Sequence, residues 1–125
     1  MKQHTAIICL ASNSKNKESI IKIAIDAIAE YVVQSQYSLI YETDAVGVTP
    51  SSPYANCVGQ ITTTLAIEEL NTLMKKMEIK QGRTNQSKTT GVIPLDIDIV
   101  VWNNQIVRFK DWEQQYFQIG YSQIK

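Results

Sequence analysis

At 125 residues the chain is long enough for one domain to bury a core without disulfides or structural metal. Its 12 Lys and Arg balance 12 Asp and Glu, which excludes the overall electrostatic footprint of a nucleic-acid or anionic-membrane binder and leaves any small anion to a local site. Cys9 and Cys57 stand apart from each other and from His4; they fit no metal-ligand spacing and read as buried, reduced thiols of a cytoplasmic protein. The first residues carry no secretory leader pattern, and no apolar run approaches membrane-spanning length.

In chain order, residues 6–10 form a short apolar run that reads as a buried strand, followed by a polar turn at 11–14. A helix begins near Lys17, with Ile20, Ala24, Ala27, Ile28 and Tyr31 at helical spacing. A second strand is expected over residues 37–41 and a Gly, Pro, Ser and Thr-rich loop over 43–53. A third strand is expected over 56–65. The second helix runs from Ile67 to Gln81, with Glu68 and Glu69 in its first turn, and Leu70, Leu73, Met74 and Met77 along one stripe. Gly82 is its stop signal. Residues 83–91 are polar and aperiodic, a loop of the length that covers ligand sites.

The most telling stretch follows at residues 95–102, a strand with two carboxylates in an otherwise apolar run. Asp96 and Asp98 share one face with Cα atoms roughly 6 to 7 Å apart. A hydrophobic strand tolerates that pair if a cation neutralises it or if the Asp face lies in water at a sheet edge. The residues alone leave both readings open. Asn103-Asn104 make a turn, and residues 105–109 return as the second arm of a hairpin. The order is that of an α+β, ferredoxin-like β-α-β-β-α-β sandwich, with an antiparallel sheet, both helices on one face and a C-terminal extra hairpin strand. Residues 1–125 are expected to form a single domain.

From Ala6 to about Val107 the chain resembles the 6-hydroxymethyl-7,8-dihydropterin pyrophosphokinases, through Ala11-Ser12-Asn13, Tyr41-Glu42-Thr43, Gly47, Pro53-Tyr54-Ala55-Asn56, Glu68-Glu69-Leu70, Glu78, Gln81-Gly82-Arg83 and Leu95-Asp96-Ile97-Asp98-Ile99. The order and spacing of these fragments carry the resemblance; no single one is specific. It implies diphosphate transfer from ATP to the pterin hydroxymethyl group in folate biosynthesis, with ATP and a pterin as small-molecule partners and neither nucleic acid nor membrane. It also implies two Mg2+ ions held by Asp96 and Asp98, with Arg83 beside them in catalysis. Thr43, Val46, Tyr54, Asn56 and Asn13 match pterin-side positions, and Glu78, Arg83, Lys88 and Ile99 match nucleotide-side positions. From the residues alone, Tyr54 and Asn56 read more readily as an aromatic cap and a turn-ending Asn, and Glu78 with Arg83 also reads as a solvated ion pair at a helix end.

The chain departs from the family pattern before the Asp strand and after residue 108. Asn85 and Ile93 stand where the family has arginines that face the triphosphate, and Thr90 stands where it has Trp. Asp111 replaces a further Arg and Tyr116 a His. Trp112, Tyr116, Phe117 and Tyr121 offer either a stacking surface or a means of packing the tail. These departures support an alternative: a catalytically degenerate relative that serves as a pterin-binding or protein-interaction module.

Overall fold

The computed structural model describes residues 2–44, 52–83 and 90–125. Its elements are β1 (His4–Ser12), α1 (Lys17–Ile28), a 3₁₀ turn (Ala29–Tyr31), β2 (Gln34–Tyr37), β3 (Tyr41–Thr43), β4 (Tyr54–Thr63), α2 (Ile67–Lys80), β5 (Asp96–Trp102), β6 (Gln105–Ile106), α3 (Phe109–Trp112) and α4 (Gln115–Ile124). All strand pairs are antiparallel. The sheet order is β2-β4-β1-β5-β6, with β3 also paired to β4. No described helix is long and apolar enough to cross a membrane.

Alternation along the central strands gives the sheet two different faces. Ala6, Ile8 and Leu10 of β1, with Ile97 and Ile99 of β5, pack against Ile21, Ile28, Leu70 and Met74 of α1 and α2. Cys9, Val58, Val100 and Val101 point the other way, onto Phe117 and Ile124 of α4. The pairing of β1 with β5 slips by one residue between Ile7 and Ile8. That irregularity lets Val100 and Val101 both face α4 while Trp102 returns to the first core.

Two strands expected from the sequence are corrected. The strand expected at 37–41 is broken: Ser38 Oγ accepts the Val58 N–H at 3.0 Å while the Ser38 N–H donates to Val58 O at 2.8 Å, so a side chain replaces a rung of the ladder. Leu39 turns out to solvent there. The returning strand ends at Ile106, because the Val107 and Arg108 N–H groups both turn back to Val100 O and α3 begins at Phe109. The α+β, ferredoxin-like arrangement holds, with α1 and α2 on one face, and the helical tail is added to the second face.

α4 approaches the sheet closely because Gly120 has no side chain. A Cβ there would lie 2.7 Å from the Tyr41 hydroxyl and 2.8 Å from Val58 Cβ. That hydroxyl accepts the Gly120 N–H at 3.1 Å and donates to Tyr116 O, tying the helix to β3. Gly120→Ala is therefore expected to cost about 2 kcal/mol through overpacking, despite the better helix propensity of Ala. A urea midpoint equal to that of the unsubstituted protein would contradict this.

Candidate active site

The half of the second sheet face that α4 leaves uncovered is a cavity of about 260 Å³. Alternate residues of three strands line it: Cys9 and Ala11 of β1, Tyr54 and Asn56 of β4, and Asp96 and Asp98 of β5. Thr43, Asp44, Arg83, Ile93, Asp111 and Tyr116 complete the wall. Around the open edge of β5, a second cleft of about 410 Å³ is bordered by Ile67, Lys75, Asp98, Ile99, Val107 and Arg108. Asp98 belongs to both.

The carboxylate pair has a built surround. Asp96 Oδ1 accepts from Arg83 Nη1 at 2.7 Å. Asp98 Oδ1 lies 3.4 Å from Lys75 Nζ and 3.9 Å from Arg108 Nη1. The two carboxyls also act on each other, and their titrations split. Burial, then the Asp96 charge and hydrogen bond, push Asp98 up to about 7. Burial acts on Asp96 in the same direction, but its hydrogen bonds with Asp98 and Arg83 outweigh it and hold Asp96 below the usual carboxylate range. Without a metal ion, the pair thus holds a proton to near neutrality.

The C-terminal turn of α2 delivers Arg83. The Gly82 N–H bonds Ile79 O at 2.9 Å and the Arg83 N–H bonds Glu78 O at 3.1 Å, the double bond pattern of a glycine-terminated helix, with Gly82 at φ +102°. The chain reverses there and brings the Arg83 side chain beside Glu78. Glu78 is buried, with its side chain 6% exposed. Its carboxylate accepts the Ile97 N–H at 2.8 Å, Lys75 at 2.8 Å and Arg83 at 3.2 Å. It therefore satisfies the free edge of β5 between the two aspartates and sets both neighbouring cations. The solvated ion pair allowed by the sequence is not what forms.

Asn56 has a defined amide orientation. Its Nδ2 donates to Thr43 Oγ1 at 2.8 Å and points at the Tyr41 and Tyr54 carbonyls, each at 3.3 Å. Oδ1 makes no hydrogen bond among the described residues and is left to accept from a ligand N–H. Tyr54 lies two residues away on the same face. Asn13 is outside the cavity wall: its amide bonds Gly91 O at 2.7 Å and the Ile93 N–H at 2.6 Å, clamping the segment that presents Ile93.

The structure thus brings Asp96, Asp98, Arg83, Tyr54, Asn56 and Thr43 around one cavity and puts Ile99 on the adjoining cleft, its side chain otherwise in the first core. Glu78 and Asn13 sit behind these walls. Val46 and Lys88, with Asn85, lie outside the described residues. Among the aromatic tail residues, Tyr116 lines the cavity, while Trp112, Phe117 and Tyr121 pack on one another with ring centroids 5.0 to 5.7 Å apart, Phe117 and Tyr121 stacked and Trp112 tilted against both. Sequence reasoning missed Lys75 and Arg108. The signal for Lys75 was its place one turn before Glu78 on the helix; Arg108 lies in a segment expected to be strand.

A family model described as 7,8-dihydro-6-hydroxymethylpterin-pyrophosphokinase matches residues 7–125. The chain is 31% identical over 106 residues to a 2-amino-4-hydroxy-6-hydroxymethyldihydropteridine pyrophosphokinase of Aquifex aeolicus, an alignment covering 85% of this chain and 66% of that protein. A Bacillus subtilis protein of the same description is 31% identical over 102 residues, covering 80% of this chain and 60% of its own length. A folate synthesis bifunctional protein of Arabidopsis thaliana is 32% identical over 97 residues, covering 77% of this chain and 20% of that protein. The chain therefore spans less than two thirds of the length of the relatives it matches.

Proposed function

The chain belongs to the 7,8-dihydro-6-hydroxymethylpterin-pyrophosphokinase family, and on that premise we propose that it transfers the β,γ-diphosphate of ATP to the hydroxymethyl group of 6-hydroxymethyl-7,8-dihydropterin. The hydroxyl oxygen bonds to the β-phosphorus and gives up its proton to solvent, the bond between that phosphorus and the α,β-bridging oxygen breaks, and AMP leaves. The observation that carries this reading is the Asp96/Asp98 pair at the junction of a small cavity and a nucleotide-sized cleft.

Each residue has a role that follows from its position. The cavity is at the small end of ligand sites and suits a flat bicyclic ring better than a larger molecule. Tyr54 provides a face for that ring, and Asn56 Oδ1 accepts from its N–H edge. Ile67, Ile99 and Val107 give the cleft an apolar floor for the nucleotide base, with Lys75 and Arg108 facing its phosphates. Asp96 and Asp98 offer hard oxygen donors, two carboxylates being the set that magnesium takes when phosphate oxygens and water complete its shell. Magnesium, when bound there, supplies charge neutralisation on the phosphates. Glu78 and Arg83 hold the pair in place, and Asn13 fixes the segment that closes the cavity rim.

Asn56→Ala tests the substrate assignment. Pterin fluorescence titrated with the protein in the presence of magnesium and a non-hydrolysable ATP analogue is expected to show at least about tenfold weaker pterin binding, since a site built to pair a polar edge loses that pairing. Calorimetric affinity for the nucleotide stays unchanged. Equal pterin affinity in the variant would remove Asn56 from the site.

A further inference from the structure

The wall between the two cavities contains a linkage built from the divergent tail. Asp111 is 9% exposed although it sits in a helix of only four residues. A carboxylate buried that far needs partners, and each oxygen has one: Oδ2 accepts from Arg108 Nε and Oδ1 from the Tyr116 hydroxyl. Tyr116 lines the cavity and Arg108 lines the cleft.

We propose that Asp111 is a positioning residue that orients Arg108 as a phosphate-binding fork in the cleft and ties that orientation to Tyr116 in the cavity wall. The inference rests on the proposed function, because it takes the nucleotide phosphates as the ligand of the cleft. The guanidinium is planar, so fixing Nε fixes the direction of both terminal nitrogens. Neither of these makes a hydrogen bond among the described residues, and Nη1 stops 3.9 Å from Asp98 Oδ1. By contrast, Lys75 Nζ is taken by Glu78, Ile97 O and Asp98. Arg83 Nη1 is taken by Glu78, Leu95 O and Asp96. Arg108 is thus the cation beside Asp98 whose terminal donors point to an incoming anion. The acidic residue that reverses a family charge at position 111 serves to aim a base three positions earlier, and the apolar Ile93 in the cavity rim leaves that base a larger share of the phosphate charge.

Calorimetric binding of MgATP without pterin tests this on the full chain with Arg108→Ala, Arg108→Lys, Asp111→Asn and Tyr116→Phe. The expected losses of affinity are about 30-fold for Arg108→Ala and about tenfold for Asp111→Asn, with a smaller loss for Tyr116→Phe, which leaves Asp111 on Arg108 but frees one oxygen. Adding Asp111→Asn to Arg108→Ala is expected to lose nothing further, because the aspartate acts through the arginine. Adenosine, which lacks phosphates, binds all variants as it binds the unsubstituted protein. Arg108→Lys keeps the charge without the fork and shows most of the loss, and this exposed substitution keeps the test open if Asp111→Asn fails to fold. Unchanged MgATP affinity in Asp111→Asn or in Arg108→Lys, or additive losses in the double variant, would overturn the role of Asp111 alone. No MgATP binding by the unsubstituted chain would overturn this inference together with the proposed function.

Discussion

Asp98→Asn is expected to lower AMP formation by at least about 10³-fold while making the metal-free protein more stable at pH 8. The loss follows from removing one of the two carboxylates that would hold the charge-neutralising cation in the proposed diphosphoryl transfer. The gain follows from linkage. Burial and the neighbouring Asp96 charge push Asp98 up to about 7, above the ordinary carboxylate value of 3.8. The folded chain therefore binds more protons than the unfolded chain between roughly pH 4 and pH 7, and its stability falls as pH rises through that window. Asp96, held low by Arg83, remains ionised there. Asparagine removes the cost of ionising position 98, a gain of about 1 to 3 kcal/mol above pH 7. Thermal unfolding at pH 4.5 and pH 8 is expected to show a higher Tm for the variant at pH 8 and little difference at pH 4.5. Magnesium raises the Tm of the unsubstituted protein alone. The same proton competes with the metal, so magnesium affinity weakens as pH falls below about 7. A variant less stable at pH 8 would contradict the account of the pair.

Glu78→Ala has the largest expected effect on stability, about 3 kcal/mol, because it leaves the Ile97 N–H unpaired at a buried edge and takes one partner each from Lys75 and Arg83, which keep Asp98 and Asp96. Glu78→Gln is expected to fall between the two, since one amide oxygen still accepts from Ile97 but its NH2 group faces a cation. Both variants loosen Arg83 against Asp96, so activity falls in the fraction that folds. A urea midpoint for Glu78→Ala within experimental error of the unsubstituted value would show that Glu78 does not organise the edge of β5.

Much of the site is written in local patterns. The alternation in β5 puts Asp96 and Asp98 on one face, the two-residue spacing puts Tyr54 with Asn56, and Gly82 ends α2 where the sequence places a stop. The Asn103-Asn104 turn likewise forms, with both residues at positive φ. The unread parts depend on contacts between distant segments. A burial state such as that of Glu78 depends on where the edge of β5 lies, which neither helix periodicity nor charge spacing reveals. Ser38 interrupts a strand of good propensity by a side-chain hydrogen bond to Val58, twenty residues away. α4 did leave a signal, since Phe117, Gly120, Tyr121 and Ile124 recur at helical spacing. A glycine in mid-pattern weakens that signal, yet close approach to the sheet requires it. The Asp111 linkage joins a helix of four residues to two cavities, and only the folded sheet puts its partners within reach.

The most direct measurement is nucleotide product analysis after incubation with ATP, magnesium and 6-hydroxymethyl-7,8-dihydropterin, alongside the Asp96→Ala/Asp98→Ala double variant. The account predicts AMP in equal amounts with diphosphorylated pterin, dependent on the pterin and absent with the double variant. Pterin and MgATP that bind without any AMP would contradict diphosphoryl transfer and identify the chain as a binding module built on the same fold.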